Sequence, residues 1–148
     1  MSIVIQETTS FVTAFKAFPF IKSLDAYYPD IEFWYVNKVV PGIVLGNDKL
    51  LVASENDNIV GIALGKNGEQ ETKLRCVRVH PDYQHSGLGI RLIDRMLDTL
   101  EVEKPIATVS EEMINLYSRA FVKRYGFSLS DVTKGEYRPR KLEYVFNG

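Results

Sequence analysis

Apolar residues at Leu88, Leu92, Ile93, Met96, Leu97 and Leu100 recur at intervals of three and four, the spacing of one helix face. This predicts a helix over Gly87–Leu100. Upstream, Thr72–Val79 alternates, ends β-branched at Val79 and is stopped by Pro81, so a strand feeds that helix through a short polar loop. Ser2–Glu7 reads as a strand. Thr8 or Thr9 caps a first helix with Phe11, Ala14, Phe15 and Phe18 inward, closed by Pro19. Pro29-Asp30 opens a second helix with Ile31, Trp34, Tyr35 and Val39 inward, ended by Pro41-Gly42. Lys49–Ser54 and Ile59–Leu64 are strands joined across Glu55-Asn56-Asp57-Asn58, a hairpin signal. Ile106–Val109 is a strand, Glu111–Arg124 a helix, and Phe127–Val132 and Lys141–Phe146 are strands around a Lys134-Gly135 turn. The order β-α-α-β-β-β-α-β-α-β-β is that of an α+β fold with a mixed sheet.

The loop before the long helix carries chemistry. Its run is Gln84-His85-Ser86-Gly87-Leu88-Gly89-Ile90. Glycines at a helix mouth let backbone amides approach a ligand. First-turn amides lack intrahelical partners, and the helix dipole adds positive charge there, so the loop suits a phosphate or pyrophosphate. A dinucleotide fingerprint needs a third glycine, and Arg91 and Leu92 stand where it is due. A P-loop needs Gly-Lys-Ser/Thr, which is absent.

The segment Val77–Leu97, with Gln84, Gly87 and Gly89 after a strand, closely resembles the acetyl-CoA motif of the GNAT superfamily of N-acetyltransferases. The resemblance extends over the whole chain through the element order and through Asn115 standing ahead of Gly126-Phe127, as in that superfamily's second motif. An uncharacterised bacterial subgroup is also similar at Val109-Ser110-Glu111, Tyr137-Arg138-Pro139 and Glu143–Gly148. The resemblance implies one α+β N-acetyltransferase domain over residues 1–148. It also implies a mixed, mostly antiparallel sheet of about six to seven strands flanked by about four helices.

Composition leaves that reading standing. The 148 residues are 45% hydrophobic and 25% charged, as in an ordinary globular chain. The net charge of −1 gives no general attraction to nucleic acid or anionic membrane. Cys76 is the lone cysteine, so no intramolecular disulfide forms and a reducing compartment fits. The start, Met1-Ser2-Ile3-Val4-Ile5, does not read as a signal peptide, and no apolar run reaches the ~20 residues of a membrane span. The expectation is a cytoplasmic, bacterial monomer or homodimer. Its partner is a small-molecule or protein amine, not nucleic acid or membrane.

The reaction implied is acetyl transfer from the acetyl-CoA thioester, a co-substrate, to a primary amine, with no metal. A lysine-like amine has a pKa near 10.4 and must lose a proton before it attacks. By the resemblance, Cys76, Val77, Arg78 and Val79 pair with pantetheine and face the acetyl carbonyl. Gln84, His85, Ser86, Gly87, Leu88, Gly89 and Ile90 hold the pyrophosphate, with Asn115 and Ser118 as further CoA contacts. Many members place an acidic Tyr where this chain has Val122, and a Glu where it has Arg75. Stand-ins for the acid are Ser118, one turn before Val122 on the same face but a very weak acid, Tyr125, three residues after it, and Tyr117, which an unbroken α-helix turns away from that face. For the base, Glu111 relays a proton through water, or it and Glu112 are favourable charges at a helix start. His80 and His85 lack the further ligands of a metal site. Cys76 reads as a small buried apolar residue beside the thioester path. Two rivals remain: a catalytically weak acyl-CoA-binding or partner-binding module of the same fold, and an acyltransferase for longer chains. Tyr27, Tyr28, Trp34 and Tyr35 line an acceptor cleft or fill the core.

Overall fold

Seven strands form one sheet in the order β1-β2-β3-β4-β5-β7-β6 in the computed structural model, which describes residues 2–148. They are β1 (Val4–Thr8), β2 (Asp48–Glu55), β3 (Asn58–Asn67), β4 (Thr72–Val79), β5 (Ile106–Ser110), β6 (Leu129–Lys134) and β7 (Leu142–Phe146). All neighbours are antiparallel except β4 and β5. The β2–β3 turn places Asn56 and Asp57 at φ 52° and 67°, the left-handed pair that a two-residue hairpin needs. No helix among the described residues is long and apolar enough to cross a membrane.

The two helices expected before β2 are each divided. The first becomes α1 (Phe11–Lys16) and α2 (Phe18–Lys22), with Pro19 in the first turn of α2 rather than after the helix. Its cap is Ser10, whose hydroxyl accepts from the Thr13 amide at 3.3 Å, because β1 runs on through Thr8. Ala14, Ala17 and Ile21 face inward, while Phe11 and Phe15 are 58% and 47% exposed. The small residues are what let these helices lie close to the sheet. The second helix starts as α3 (Ile31–Trp34), widens into a π turn over Tyr35–Val39 and continues as α4 (Val40–Leu45). Pro41 therefore does not end it. The π turn re-routes carbonyls that a regular helix would have aimed at the missing proline N–H. The stop is Gly46.

Each face of the sheet is covered. On one side, Leu88, Leu92, Ile93, Met96 and Leu100 of α5 (Leu88–Leu100) pack on Leu51, Ala53, Ala63 and Val77. Gly65 makes that approach possible: a Cβ there would lie 2.7 Å from Met96 Sδ and 3.2 Å from the Lys73 carbonyl oxygen. On the other side, Ile21, Tyr35, Val39 and Ile43 pack on Leu50, Val52, Ile62 and Leu64. The Tyr35 hydroxyl is buried there and donates to the Ala14 carbonyl at 2.6 Å.

One seam is left unfinished. Strands β4 and β5 share only the pairs Lys73–Ile106 and Leu74–Ala107, then diverge. A bulge accompanies the divergence: β3 pairs Leu64 with Cys76 and Gly65 with Leu74, so Arg75 has no opposite residue. Beyond β5, α6 (Ile114–Arg119) passes into a second π turn over Ala120–Arg124.

Candidate active site

The glycine loop joins β4 to α5. His80 donates its backbone N–H to the Val60 carbonyl, and Pro81–Tyr83 form a single 3-10 turn. The Tyr83 hydroxyl donates to Glu55 at 2.7 Å, which ties the loop to the β2–β3 hairpin. His85 and Gly87 then take positive φ, 66° and 82°, and α5 begins at Leu88. The backbone N–H groups from His85 to Ile90 have no partner among the described residues; the first bond of the helix runs from Arg91 N–H to the Gly87 carbonyl. No atom lies within 4 Å of a Cβ built on Gly87, and only Val79 Cγ2, at 3.9 Å, approaches one on Gly89. A concave row of free amides at the positive end of a 13-residue helix can hold an anion. The side chain of Ser86 folds back to the Tyr83 carbonyl. Gln84 reaches the Val79 carbonyl at 3.4 Å, and His85 is exposed.

From the loop the path leads into the β4–β5 split, a narrow cavity of about 60 Å³ lined by Cys76, Val77, Arg78 and Ser110 among others. Arg78 is held to one side by donating from Nε to Ser23 Oγ at 3.0 Å. Burial pushes the Cys76 thiol up to about 12, so it stays protonated and behaves as an apolar filler. Tyr117 enters the split from α6. Its ring stacks on Phe121 and its hydroxyl donates to the Val77 carbonyl at 3.1 Å. Burial raises its pKa.

Tyr117 therefore faces the split, where an unbroken helix would turn it away. Tyr125 lies on the far side of α6, where its hydroxyl donates to Asp94 at 2.7 Å on the solvent flank of α5. Burial and that bond push its pKa up to about 12. It does not line the split, and Val122, the position of the usual acid, is 50% exposed. The π turn is the cause: Tyr125 N–H bonds back to Ala120, so one extra residue is wound in and everything after it is rotated. Asn115 and Ser118 sit on α6, the first exposed and the second half-buried, with no side-chain hydrogen bond among the described residues.

Glu111 is also occupied. Its carboxylate accepts from the Leu142 amide at 2.9 Å, and the Glu111 amide donates to the Leu142 carbonyl, clipping the end of β5 to β7. The carboxylate expected to relay a proton is thus engaged in this clip rather than standing free. Glu112 is bound to Arg138 at 2.6 Å, which holds its carboxyl below the usual range. Arg75, at the usual base position, faces Asp48 at 3.4 Å and lies over the Trp34 ring at 5.1 Å.

A second cavity, of about 350 Å³, adjoins the split and shares Tyr28, Arg75, Cys76 and Thr108 with it. Its walls are largely aromatic and aliphatic: Tyr28, Trp34, Tyr137, Leu24 and Ile31. Tyr28 and Tyr137 meet edge to face at 5.1 Å. Close by is a residue whose chemistry the sequence did not reveal. Glu143 on β7 pairs with Ser110, so both side chains share the cleft face of the sheet. It is only 2% exposed, and neither carboxylate oxygen has a hydrogen-bond partner. Burial raises its pKa to about 7, against the lowering effect of Arg138 and Tyr28. A glutamate in a strand reads as a solvent-facing position; only the pairing with Ser110 shows that this face is roofed over.

A sequence profile described as Acetyltransferase (GNAT) domain matches residues 46–129, from the end of α4 to the start of β6. No curated protein sequence matches the chain. Among solved structures the fold is similar to that of a GNAT-family protein from Desulfovibrio desulfuricans, at 20% identity and a TM-score of 0.76, covering 98% of this chain and 97% of that one. It is similar, at 18% identity and TM-score 0.75, to the ribosomal-protein-S18-alanine N-acetyltransferase of Escherichia coli, with 98% and 92% covered. A third is the PaiA N-acetyltransferase of Thermoplasma acidophilum in complex with coenzyme A, at 19% identity and TM-score 0.70, with 98% of each chain covered. At such identities the likeness is one of fold.

Proposed function

The chain belongs to the acetyltransferase (GNAT) domain family, and from that premise we propose that it carries the acetyl group of acetyl-CoA to a primary amine. The observation that carries the reading is the unpartnered run of amides from His85 to Ile90, set where an opened strand meets a helix start. The pyrophosphate rests on those amides, with Gln84 at the edge of the loop. Pantetheine runs along Cys76, Val77, Arg78 and Val79 into the split, and Asn115 and Ser118 face it from α6. The solved neighbours that hold coenzyme A or acetyl-CoA support this use of the fold.

The chemistry follows from the groups present. A neutral amine attacks the thioester carbonyl. The developing oxyanion is met by a backbone amide of the bulged β4, and the C–S bond breaks. Hydrogen-bond donors fixed in advance where charge develops are worth more than donors recruited from water. Tyr27, Tyr28 and Tyr117 line the split, and Tyr117, which enters from α6 beside the Val77 carbonyl, is the one we assign as the donor to the departing sulfur. Its raised pKa keeps it protonated at neutral pH.

The loop assignment is tested at Gly89. That residue has no positive φ, and a Cβ meets only Val79 at 3.9 Å, so Gly89→Glu leaves the fold intact while setting a carboxylate against the phosphates. Calorimetric titration of acetyl-CoA is expected to lose at least about tenfold in affinity, since an introduced like charge removes roughly 1.4 kcal/mol or more. A variant binding within threefold of wild type overturns the placement. The absence of the usual acid and base, at Val122 and Arg75, favours one rival, a module that binds acetyl-CoA without turning it over. Binding with no release of CoA across primary amines of every kind would select that rival.

A further inference from the structure

Beside the split, behind its aromatic wall and lining neither cavity, lies a buried carboxylate, Glu143, that nothing in the transfer scheme above uses. We propose that Tyr28 and Glu143 are the proton-accepting pair for the acceptor, and that the acceptor is a small primary alkylammonium with an apolar or aromatic body. The inference rests on the acetyl-transfer reading and adds to it the substrate class and the route of the first proton.

The placement argues for each part. Tyr28 is common to both cavities, so its hydroxyl stands where an amine in the larger cavity meets a thioester in the narrower one. Glu143 is its buried neighbour, outside the lining of either cavity. Each perturbs the other's titration, short of a formed hydrogen bond. An unpaired carboxylate costs a fold several kcal/mol unless it is protonated or meets a cation, so its retention in a site is informative. The charged groups around it do not satisfy it. Arg138 is shared: its Nη2 binds Glu112 at 2.6 Å and its guanidinium lies over the Tyr27 ring at 5.5 Å, so it lowers the Glu143 pKa without bonding to it, and Glu111 is engaged by Leu142. Glu112 and Glu136 repel a charge on Glu143. The other cations at the cleft, Arg75 and Lys73, are paired with Asp48 at 3.4 Å and Glu71 at 3.1 Å, and an incoming ammonium is a cation with no such partner. The larger cavity suits the rest of such a molecule: at about 350 Å³ it falls at the small end of ligand sites, and its aromatic faces favour an apolar body with a positive head.

The proton path balances. The ammonium gives a proton to the Tyr28 oxygen as the phenolic proton passes to the Glu143 carboxylate, leaving a neutral amine and a neutral Glu143. The C–N bond forms and the C–S bond breaks. The second amine proton goes to the departing sulfur through Tyr117, and the proton on Glu143 goes to solvent. The products are the amide, CoA-SH and one free proton. Glu143 acts through Tyr28 and is a positioning residue.

The test uses the full chain. Release of CoA is followed with butylamine, 2-phenylethylamine and tryptamine, and with a short peptide bearing a free amino terminus. At least one small amine is expected to outrun the peptide. With that amine, kcat/KM is expected to rise with pH through an apparent value near 7. Glu143→Gln is expected to remove that limb and lower kcat at least about tenfold, the low end of the span given by proton transfer. Acetyl-CoA binding, measured by calorimetry, is expected to stay within twofold. Tyr28→Phe, which leaves the ring packing in place, is expected to lower kcat by a similar factor; it also decides the matter if Glu143→Gln does not fold. A pH limb retained in Glu143→Gln or in Tyr28→Phe overturns the pair. A peptide acetylated faster than every small amine, or no small amine acetylated although acetyl-CoA binds, overturns the acceptor class. A wild-type protein that does not bind acetyl-CoA overturns the acetyl-transfer reading itself, and this inference with it.

Discussion

A phenol helps a departing thiolate only if it reaches the sulfur, and Tyr117 and Tyr125 differ in reach. One stands inside the β4–β5 split on the Val77 carbonyl, the other outside it on Asp94. Tyr117→Phe is expected to lower kcat by at least about tenfold, while Tyr125→Phe stays within threefold, both with the same amine; general-acid contributions run from ~10² upward when complete. Val122→Tyr, on an outward face, should leave kcat unchanged. A large loss in Tyr125→Phe alone would reverse the two assignments. The sequence makes both tyrosines visible as candidates but not which of them faces the split, because a helix phase counted in steps of 3.6 residues has no way to anticipate the residue wound into the π turn. Glu143 was legible as a residue and not as a site, since its burial depends on the register of β7 against Ser110. Its raised pKa also has a sign that stability can report. A carboxyl held near 7 in the fold and 4.5 in its usual state makes the native chain bind a proton the unfolded chain has released. Stability therefore falls as pH rises across that window and is fully present below it. Glu143→Gln should flatten this dependence in thermal melts at fixed ionic strength; an unchanged slope would show that Glu143 is not held so high.

At the scale of elements, the glycine loop and α5 were the readable part. Their signals are local: an apolar stripe, a proline stop and glycines at a helix mouth. The helices before β2 were less so. Proline was read as an end in both, and the chain instead set Pro19 in a first turn and prepared Pro41 with a π turn. In the first helix Phe11 and Phe15 face out, contrary to their place in the apolar stripe, whereas Ala14 and Phe18 of the same stripe, with Ala17, pack inward. The contact of α5 with β3 rests on a close approach that can be probed. Gly65→Val puts carbon 2.7 Å from Met96 Sδ and against the Lys73 carbonyl. It is expected to destabilise by roughly 1–3 kcal/mol, as overpacked cores do. A melting temperature unchanged within a degree would mean that α5 slides freely and that the start of the loop is not fixed by packing.

For the molecule as a whole, the order of elements was correct once each divided helix is counted as one, and the sheet has the seven strands and mixed sense expected. Composition contributed little beyond ruling out a general polyanion partner. The split was not predictable from composition or periodicity, since it depends on how far two parallel strands stay paired. A ligand that binds only the native fold stabilises it by about 2.7 kcal/mol at a hundredfold excess over Kd. Acetyl-CoA at that level is expected to raise the melting temperature by roughly 5–10 °C. No shift with any acyl-CoA would count against the reading at every scale.

The split has a further consequence. Sheets ordinarily confine their unsatisfied edges to the two outermost strands, where proteins blunt them with charge, twist or brevity. Here, past Leu74 and Ala107, the backbone of β4 is an edge in the middle of the sheet. Tyr117 from α6 and Tyr28 from the α2–α3 segment line the gap beside it, so the exposed edge is narrow. Such a gap sorts by cross-section. A strand needs room for side chains on two faces, whereas a thin chain carrying amides of its own needs less. An aggregation hazard at the rim of a sheet becomes, at its centre, a slot with the width of a filter.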